Sequence, residues 1–331
     1  MMKIGINGFG RIGRAVLRAG LARGLDIAVI NDLADVGTLA HLLQHDSTHG
    51  TYDKPVAAAP GALVVDGTRI PVTGHHDPSG IDWYSYGADL VIEATGRFRT
   101  RADAEIHLKN GARKVLVTAP GRGMDVTLVP GVNDQAYDPG LHQIISMASC
   151  TTNCVAPMVK VLNDTFGLVK GFMTTVHAYT ADQRLLDAPH KDPRRARSAA
   201  VNIVPTTTGA ARMVGEVIPE LAGRLDGIAL RVPVPDGSLT DLAAVLATPA
   251  TPEEINDAFA TAATGPLAGI LRYSTAPLVS TDIIGDPSSC VFDAPLTQSE
   301  GTLVKIFGWY DNEWAYATRL AETATRIAAE H

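Results

Sequence analysis

The segment that most constrains the fold is a glycine-rich turn near the N-terminus. Lys3–Asn7 has the apolar character of a short strand, and Ala15-Val16-Leu17 opens a segment with helical periodicity. Between them stands Gly8-Phe9-Gly10-Arg11-Ile12-Gly13, a G-x-G-x-x-G pattern. The first glycine permits a tight turn, the second lets a pyrophosphate approach the backbone, and the third lets the helix pack on the strand. The pattern predicts a dinucleotide site at the helix N-terminus.

An acidic residue stands where such a cofactor requires one. A second predicted strand, Ile27–Ile30, ends at Asn31-Asp32, about 20 positions beyond the glycines. A carboxylate there accepts a hydrogen bond from a ribose 2′-hydroxyl and repels a 2′-phosphate, so Asp32 favours NAD. A simple turn-capping role is the alternative for Asp32.

The first half of the chain alternates predicted strands with predicted helices. The strands Asp89–Glu93 and Lys114–Thr118 flank a helix at Arg101–Asn110. This alternation predicts a parallel sheet covered by helices, in which ligands bind beyond the carboxyl ends of the strands. The candidates to line a cofactor cleft at those ends are Asn7, Asp32, Thr95, Gly96 and Thr118. Ordinary turn chemistry is the alternative for each of them taken singly.

The pattern changes near residue 149. A predicted helix runs from Cys150 to about Phe166, and strands then follow with few helices between them, at Gly171–His177, Ile228–Val232, Leu242–Ala247 and Leu303–Trp309. Closely spaced strands are typical of a mixed or antiparallel sheet. We therefore predict an α/β chain with an N-terminal Rossmann-type parallel-sheet domain and an α+β domain built on a mixed or antiparallel sheet.

A cysteine lies at the start of this second half. In the run Ala148-Ser149-Cys150-Thr151-Thr152-Asn153-Cys154, small polar residues lead into the predicted helix. At the helix N-terminus the dipole favours a thiolate, and therefore a nucleophile. His177 ends the next predicted strand, and a Cys–His pair supplies a nucleophile with its acid and base. A buried, inert cysteine and a structural histidine are the alternatives.

Several groups in this half are suited to binding anions. They are strong hydrogen-bond donors at strand ends or in loops, namely Thr180, Arg194, Arg195, Arg197, Thr208, Gly209 and Arg231. Arginine forks and threonine hydroxyls suit phosphate oxygens, although the arginine cluster also fits a solvated or subunit-contact loop. A nicotinamide cofactor, a thiolate and phosphate-binding groups together predict oxidation of an aldehyde through a thioester.

The composition limits the class of protein. At 331 residues the chain suits two domains, and 46% hydrophobic with 19% charged residues is typical of a soluble globular protein. A net charge of -7 argues against a general affinity for nucleic acid or anionic membranes. The chain has three cysteines and no signal-peptide pattern, which predicts a reducing compartment without disulfides. The cysteines do not have the spacing of a zinc site, so we expect no bound metal.

Taken together, these residues closely resemble phosphorylating glyceraldehyde-3-phosphate dehydrogenase over essentially the whole chain. The resemblance is carried by Ile4–Arg14, Asn31-Asp32, Ala148–Cys154, Thr174–His177, Arg194–Arg197, Pro205–Gly209, Arg231–Pro233 and Trp309–Glu313. It implies the glycolytic conversion of glyceraldehyde 3-phosphate to 1,3-bisphosphoglycerate, with NAD and inorganic phosphate.

The resemblance also implies a role for each matching residue. Cys150 would be the nucleophile and His177 its acid and base. The implied cofactor-binding residues are Gly8, Gly10, Arg11, Ile12, Gly13, Asp32, His76, Thr95, Gly96, Thr118, Asn312 and Tyr316. The implied substrate and phosphate residues are Ser149, Thr151, Thr180, Arg197, Thr208, Gly209 and Arg231.

The resemblance further implies an NAD-binding domain of residues 1–149 and 313–331, a catalytic domain of residues 150–312, and a cytoplasmic homotetramer. No membrane and no specific nucleic acid are expected as partners. Ala315 replaces the family's usual glycine, and Ala188 replaces a larger apolar residue in a way that resembles NADP-tolerant enzymes. The alternatives are an NADP-tolerant specialised isoform, an erythrose-4-phosphate dehydrogenase, and a catalytically idle binding relative.

Overall fold

A computed structural model describes residues 2–330 of the chain as two compact units. The first unit runs to Leu128, takes in Gln135–Ala148 and resumes at Ala317. The second comprises Val129–Asp134 and Ser149–Tyr316. Within the described residues, no helix combines the length and the apolar character needed to cross a bilayer.

The first unit alternates strands and helices, as its sequence predicts. In chain order the elements are β1 (Lys3–Asn7), α1 (Arg11–Leu21), β2 (Ile27–Asn31), α2 (Val36–Gln44), β3 (His45–Asp46), β4 (Gly50–Thr51), β5 (Val56–Ala59), β6 (Ala62–Val65), β7 (Thr68–Thr73), α3 (Trp83–Tyr86), β8 (Ala88–Glu93), α4 (Arg101–Lys109), β9 (Lys114–Val117), β10 (Val126–Thr127) and β11 (Ile144–Ser146).

The main sheet of this unit has the order β10-β11-β9-β8-β1-β2-β7-β6-β5. The strands are parallel from β10 to β7, and β6 and β5 extend the sheet as an antiparallel meander. The predicted parallel sheet is therefore confirmed. Because β1 lies between β2 and β8, the strand order reverses beside it, which is where open sheets of this kind bind ligands.

The glycines of the first turn fit the predicted geometry. Gly8 has φ +94°, a conformation that other residues rarely adopt, and it lets the chain leave β1. A Cβ on Gly13 would lie 2.2 Å from the carbonyl oxygen of Gly8, so only glycine lets α1 pack so closely. A Cβ on Gly10 would meet no protein atom within 4 Å, which leaves this backbone open to a ligand.

The second unit begins with the helix that carries the candidate nucleophile. Its elements are α5 (Cys150–Phe166), β12 (Leu168–Ala178), β13 (Val204–Thr207), α6 (Ala210–Val217), β14 (Leu225–Val232), β15 (Ser238–Leu246), α7 (Pro252–Thr264), β16 (Leu271–Ser274), β17 (Cys290–Asp293), β18 (Gln298–Glu300) and β19 (Leu303–Tyr310). The last helix, α8 (Trp314–Ala329), starts here, and its residues from Ala317 onward belong to the first unit.

The sheet of the second unit is mixed, as predicted. Its order is β13-β14-β12-β15-β19-β17-β16, and β18 pairs with β19. The central strand β12 runs parallel to β14 and antiparallel to β15, and this register places His177 opposite Arg231. Helix α5 packs on β15, β17 and β19 through buried residues such as Val155, Met158 and Leu162. The sheet thus holds the end of β12 beside the start of α5.

The sequence underestimates three strands of this sheet, one of which, β14, begins at Leu225 instead of Ile228. Strand β12 begins at Leu168 instead of Gly171, and β15 begins at Ser238 instead of Leu242. The residues Ser238 and Thr240 are polar but fully buried, so an apolar pattern does not reveal this part of β15. Neighbouring strands supply the backbone partners that extend β12 and β15.

Candidate active site

Cys150 is the first residue of α5, as the sequence predicts. The hydroxyl of Ser149 caps the helix by accepting a hydrogen bond from the backbone N–H of Thr152 at 3.0 Å. The preceding residue, Ala148, has φ +53°, which is uncommon for a residue with a Cβ. This turn and cap fix the position of the thiol at the helix N-terminus, where it keeps a partly exposed surface.

The imidazole of His177 lies against this thiol. His177 is the penultimate residue of β12, and its Nε2 is 3.5 Å from the Sγ of Cys150. The other ring nitrogen, Nδ1, is 2.7 Å from the carbonyl oxygen of Ala178. With its proton on Nδ1, the ring donates to that carbonyl and Nε2 accepts from the thiol, whereas Arg231 Nη1, 2.9 Å from Nδ1, can only donate and favours the tautomer protonated on Nε2.

Arg231 completes this group from the neighbouring strand. Its Nη1 lies 2.9 Å from His177 Nδ1 and donates a hydrogen bond to the carbonyl of Ala178 at 3.1 Å. Its Nε is buried, and no group among the described residues accepts a hydrogen bond from it. A guanidinium with a buried, unused donor is suited to an anionic oxygen, because that oxygen would satisfy the charge and the N–H together.

Burial governs the protonation of the pair. It raises the pKa of the Cys150 thiol to about 11, although the charge of Arg231 and hydrogen bonds from Thr151 lower it. Burial and the charge of Arg231 lower the pKa of His177 to about 3. The resting pair is therefore a neutral thiol beside a neutral imidazole. Burial thus acts against the thiolate expected at a helix N-terminus, because it disfavours the charged form.

Tyr310 joins the two catalytic segments, a role that the sequence did not predict for it. Its hydroxyl is within 2.8 Å of the hydroxyls of both Thr151 on α5 and Thr175 on β12. Its ring meets His177 edge to face, with ring centroids 5.9 Å apart. Tyr310 is fully buried, and it therefore fixes the spacing between the helix of Cys150 and the strand of His177.

The remaining predicted phosphate residues occupy different settings. Thr180 follows β12, and its N–H donates to Gln183 at 3.3 Å. Gly209 is the N-cap of α6, and the hydroxyl of Thr208 accepts a hydrogen bond from the N–H of Ala210. Arg197 is exposed and forms an ion pair with Asp187 at 2.9 Å. Among these residues Arg197 is therefore already engaged by a surface carboxylate.

Two predicted nicotinamide residues are buried in the second unit. Asn312 is held by Ser238, whose hydroxyl donates to its Oδ1 at 2.5 Å. Tyr316 is buried, and burial together with the nearby Cys150 raises the pKa of its phenol well above the usual range. Ala315 is also buried, so the methyl group that departs from the family pattern lies inside the protein.

A cavity of about 260 Å³ opens in the first unit at the carboxyl ends of β1, β2 and β8. Six of the residues predicted to line the cofactor cleft or bind the cofactor line it, namely Asn7, Gly8, Gly10, Asp32, His76 and Thr95. His75, Arg97 and Phe98 also line it and were missed, because they lie in loops whose pattern carries no signal. The lining thus combines open backbone, a carboxylate, two imidazoles, a guanidinium and an aromatic ring.

The carboxylate of Asp32 is fixed by backbone groups. Its Oδ2 accepts from the N–H of Phe9 at 2.7 Å, and its Oδ1 accepts from the N–H of Ala34 at 2.9 Å. The first contact ties the end of β2 to the glycine turn. The carboxylate of Asp32 fits the ribose hydroxyl of the NAD adenosine, and the open backbone at Gly10 fits the pyrophosphate.

The other predicted cofactor residues of the first unit do not line this cavity. Arg11 and Ile12 open α1, and the guanidinium of Arg11 pairs with Asp46 at 2.6 Å. Gly96 has φ +69° in the turn after β8, and Thr118 follows β9. Gly13 serves the packing of α1 on β1.

A buried polar network beneath the cavity was also missed. The carboxylate of Glu93 accepts hydrogen bonds from Asn7 at 2.6 Å and from both the N–H and the hydroxyl of Thr95. It also lies 3.0 Å from His107 Nε2, and His107 Nδ1 accepts from Trp83. Because a buried carboxylate needs such donors, Glu93 fixes the strand ends that form the cavity floor.

All three cysteines are free. Cys154 is buried one turn beyond Cys150, and its Sγ lies 3.5 Å from the carbonyl oxygen of Gly308. It is therefore a packed neighbour of the active site, as the sequence predicts.

Two family models match the chain. One, for the NAD binding domain of glyceraldehyde 3-phosphate dehydrogenase, matches residues 2–101. The other, for the C-terminal domain of glyceraldehyde 3-phosphate dehydrogenase, matches residues 149–312.

Curated proteins of high identity carry the same name. Glyceraldehyde-3-phosphate dehydrogenase 2 of Streptomyces arenae is 56% identical over 330 residues, which are 99% of each chain. The enzyme of Kitasatospora aureofaciens is 54% identical over 331 residues, which are 99% of this chain and all of its own. The enzyme of Geobacillus stearothermophilus is 52% identical over 331 residues, again 99% of each chain.

Proposed function

Because the chain belongs to the glyceraldehyde-3-phosphate dehydrogenase family, we propose that it converts glyceraldehyde 3-phosphate and inorganic phosphate to 1,3-bisphosphoglycerate with NAD. The observation that carries this proposal is the contact between Cys150 Sγ and His177 Nε2, with Arg231 beside them. Nucleophile, base and anion-binding group thereby occupy one site.

The Cys150–His177 pair accounts for the first half of the reaction. As the Cys150 sulfur bonds to the aldehyde carbon, His177 takes the thiol proton and passes it to the carbonyl oxygen, which gives a thiohemiacetal. NAD, when bound, supplies the acceptor of the hydride that leaves this carbon. His177 removes the hydroxyl proton as the thioester on Cys150 forms, so one imidazole serves both steps.

Phosphate completes the cycle. A phosphate oxygen attacks the thioester carbon, the carbon–sulfur bond breaks, and Cys150 regains its proton from His177. Arg231 and Thr180 bind the phosphate of the substrate, and Arg231 has a buried, unused N–H to offer. Ser149, Thr151, Thr208, Gly209 and Arg197 serve the attacking phosphate, with Gly209 at the start of α6.

The cofactor residues divide between two regions of the chain. Residues 1–149 with 313–331 form the NAD-binding domain, and residues 150–312 form the catalytic domain. In the first, Asp32 binds the adenosine ribose, the backbone of Gly8–Gly13 binds the pyrophosphate, and His76, Thr95, Gly96 and Thr118 line the cleft. Asn312 binds the nicotinamide carboxamide, and Tyr316 packs near its ring.

The family and its relatives favour this activity over the erythrose-4-phosphate alternative, since the relatives of 52–56% identity named above are all glyceraldehyde-3-phosphate dehydrogenases. We place the enzyme in the cytoplasm as a homotetramer without nucleic-acid partners. Tolerance of NADP, which the small residue Ala188 suggests, is tested by comparing kcat/KM for the two cofactors.

One assay tests the proposed reaction. NADH formation from glyceraldehyde 3-phosphate is measured with and without inorganic phosphate, for the wild type and for Cys150→Ser. We expect steady turnover only in the wild type and only with phosphate. Turnover that does not depend on phosphate would contradict the phosphorolysis step, and full activity of Cys150→Ser would contradict the covalent mechanism.

A further inference from the structure

The hydroxyl of Ser238 connects two functional segments of the second unit. Ser238 begins β15 and is fully buried. Its Oγ accepts a hydrogen bond from the N–H of Ala178, the residue after His177, at 3.1 Å. It donates its own proton to Oδ1 of Asn312 at 2.5 Å. One hydroxyl thus ties the strand end that carries the base to the residue assigned to the nicotinamide.

This contact decides which end of the Asn312 amide is available. The Oδ1 atom only accepts hydrogen bonds and the Nδ2 group only donates them. Since Oδ1 accepts from Ser238, Nδ2 is the end of the amide left to donate to another molecule. The backbone is fixed as well, because the N–H of Asn312 donates to Asp236 Oδ1 at 3.1 Å.

We propose that Ser238 is a positioning residue that orients the Asn312 amide, so that Nδ2 donates to the carbonyl oxygen of the nicotinamide carboxamide. The proposal rests on the function stated above, in which Asn312 binds that carboxamide. Ser238 itself touches neither cofactor nor substrate in this scheme. It acts by making one of the two amide orientations the stable one.

The physical reason is the weak torsional preference of an asparagine amide. Rotation about the Cβ–Cγ bond is broad and nearly two-fold, so packing alone does not distinguish the oxygen from the nitrogen. Without the hydroxyl of Ser238, the amide can turn its oxygen toward the carboxamide oxygen, and the two acceptors repel. NAD then binds less tightly, and the ring is held less firmly in one orientation.

The test compares two substitutions in the same strand. Ser238→Ala removes the donor, whereas Thr240→Val removes a buried hydroxyl two residues along that makes no hydrogen bond among the described residues. We expect Ser238→Ala to raise the KM for NAD about tenfold, the loss that follows from one buried neutral hydrogen bond, with little change in the KM for glyceraldehyde 3-phosphate. Thr240→Val should leave both constants unchanged.

The face of the nicotinamide ring that receives hydrogen distinguishes a loss of ring orientation from a general loosening of the site. With NAD deuterated at C4 of the nicotinamide, the wild type should transfer the substrate hydrogen to one face of the ring. Ser238→Ala should give a measurable fraction on the other face, and Ser238→Thr, which keeps a hydroxyl, should restore single-face transfer. Should Ser238→Ala fail to fold, Ser238→Cys offers a weaker donor, and its KM for NAD should exceed that of the wild type.

A double-mutant cycle tests whether Ser238 acts through Asn312. Asn312→Ala should raise the KM for NAD, and adding Ser238→Ala to it should change that KM no further. The proposal is overturned if Ser238→Ala affects NAD no more than Thr240→Val does, or if its effect persists in full without Asn312. An unchanged KM in Asn312→Ala alone would instead remove the assigned role of Asn312 and the proposal with it.

Discussion

At the scale of single residues, the active site depends on a short contact chain. Arg231 lies against His177, and His177 lies against Cys150, with nitrogen–nitrogen and nitrogen–sulfur distances of 2.9 and 3.5 Å. Burial keeps both titrating groups of the pair neutral at rest. The pair therefore carries no permanent charge inside the protein before the substrate binds.

Substitution of His177 by asparagine tests this proton transfer. Asparagine keeps a polar side chain but cannot accept a proton, so kcat should fall by about 10²- to 10⁴-fold. The KM for NAD should stay near the wild-type value, because His177 does not hold the cofactor. Steady-state kinetics measure both constants, and a fall in kcat of less than threefold would contradict the assigned role.

Asp32→Asn tests the basis of the NAD preference. The asparagine oxygen can still accept one of the two backbone hydrogen bonds, from Phe9 or Ala34, but the negative charge is gone. We expect the ratio of kcat/KM for NAD to that for NADP to fall about tenfold, since repulsion of the 2′-phosphate is relieved. A ratio equal to that of the wild type would show that other groups set the preference.

At the scale of elements, caps and turns fix the functional groups. The start of α5 is set by Ser149, and the turn from β1 into α1 is set by Gly8 and Gly13. The turn into α1 is held further by an ion pair between Asp46, in the short strand β3, and Arg11 at the start of α1. Local contacts at helix N-termini therefore position both the thiol and the phosphate-binding backbone.

Ser149→Ala tests the cap of α5, with Thr251→Ala as the matched control. Thr251 caps α7 through the N–H of Glu254, away from the candidate catalytic residues in sequence. Each change should cost about 1 kcal/mol of stability and lower the Tm by a similar amount. Only Ser149→Ala should also reduce kcat, because only its helix carries Cys150. Equal activity losses in the two variants would attribute the effect to stability alone.

The pair of Asp46 and Arg11 predicts a pH dependence. Burial alone would raise the Asp46 pKa, but the N–H groups of His49 and Thr48 and the charge of Arg11 lower it to about 2. A lowered carboxyl pKa contributes stability above the unfolded value of about 3.8, and that contribution is lost as the pH falls toward 2.

The measurement compares the Tm of the wild type and Asp46→Asn as the pH is lowered from about 5 to about 3. The variant should be less stable near neutral pH, by about 1 to 2 kcal/mol, and its Tm should fall less on acidification. Parallel Tm curves for the two proteins would show that this ion pair makes no pH-dependent contribution.

At the scale of the whole molecule, each unit has its own sheet and its own functional edge. The first unit places its cavity where the strand order reverses between β2 and β8. The second places His177 and Arg231 on neighbouring strands of a mixed sheet. Several large apolar side chains of the second unit are exposed, among them Phe172, Leu185, Leu186 and Val201.

Those exposed side chains support the proposed homotetramer, because exposed apolar surface is typical of subunit contacts. We expect sedimentation equilibrium to give a mass of about four times the 34.9 kDa of one chain. Phe172→Glu should shift the population toward smaller species, since it places a charge in an apolar contact. A monomeric wild type at micromolar concentration would contradict the proposal.

The sequence by itself determined the strand–turn–helix unit at Gly8–Gly13, the parallel sheet of the first half, and the helix that starts at Cys150. These features are local, since periodicity, glycine geometry and capping act between neighbours in the chain. Only the tertiary structure decided that Tyr310 bridges Thr151 and Thr175. The same is true of the contact by which Ser238 orients Asn312, and of the hydrogen bond that Glu93 accepts from Asn7. Those side chains are polar and buried, and their partners are distant in sequence, so no local pattern marks them. The raised pKa of Cys150 was decided in the same way, because burial is a property of the folded protein and disfavours the thiolate.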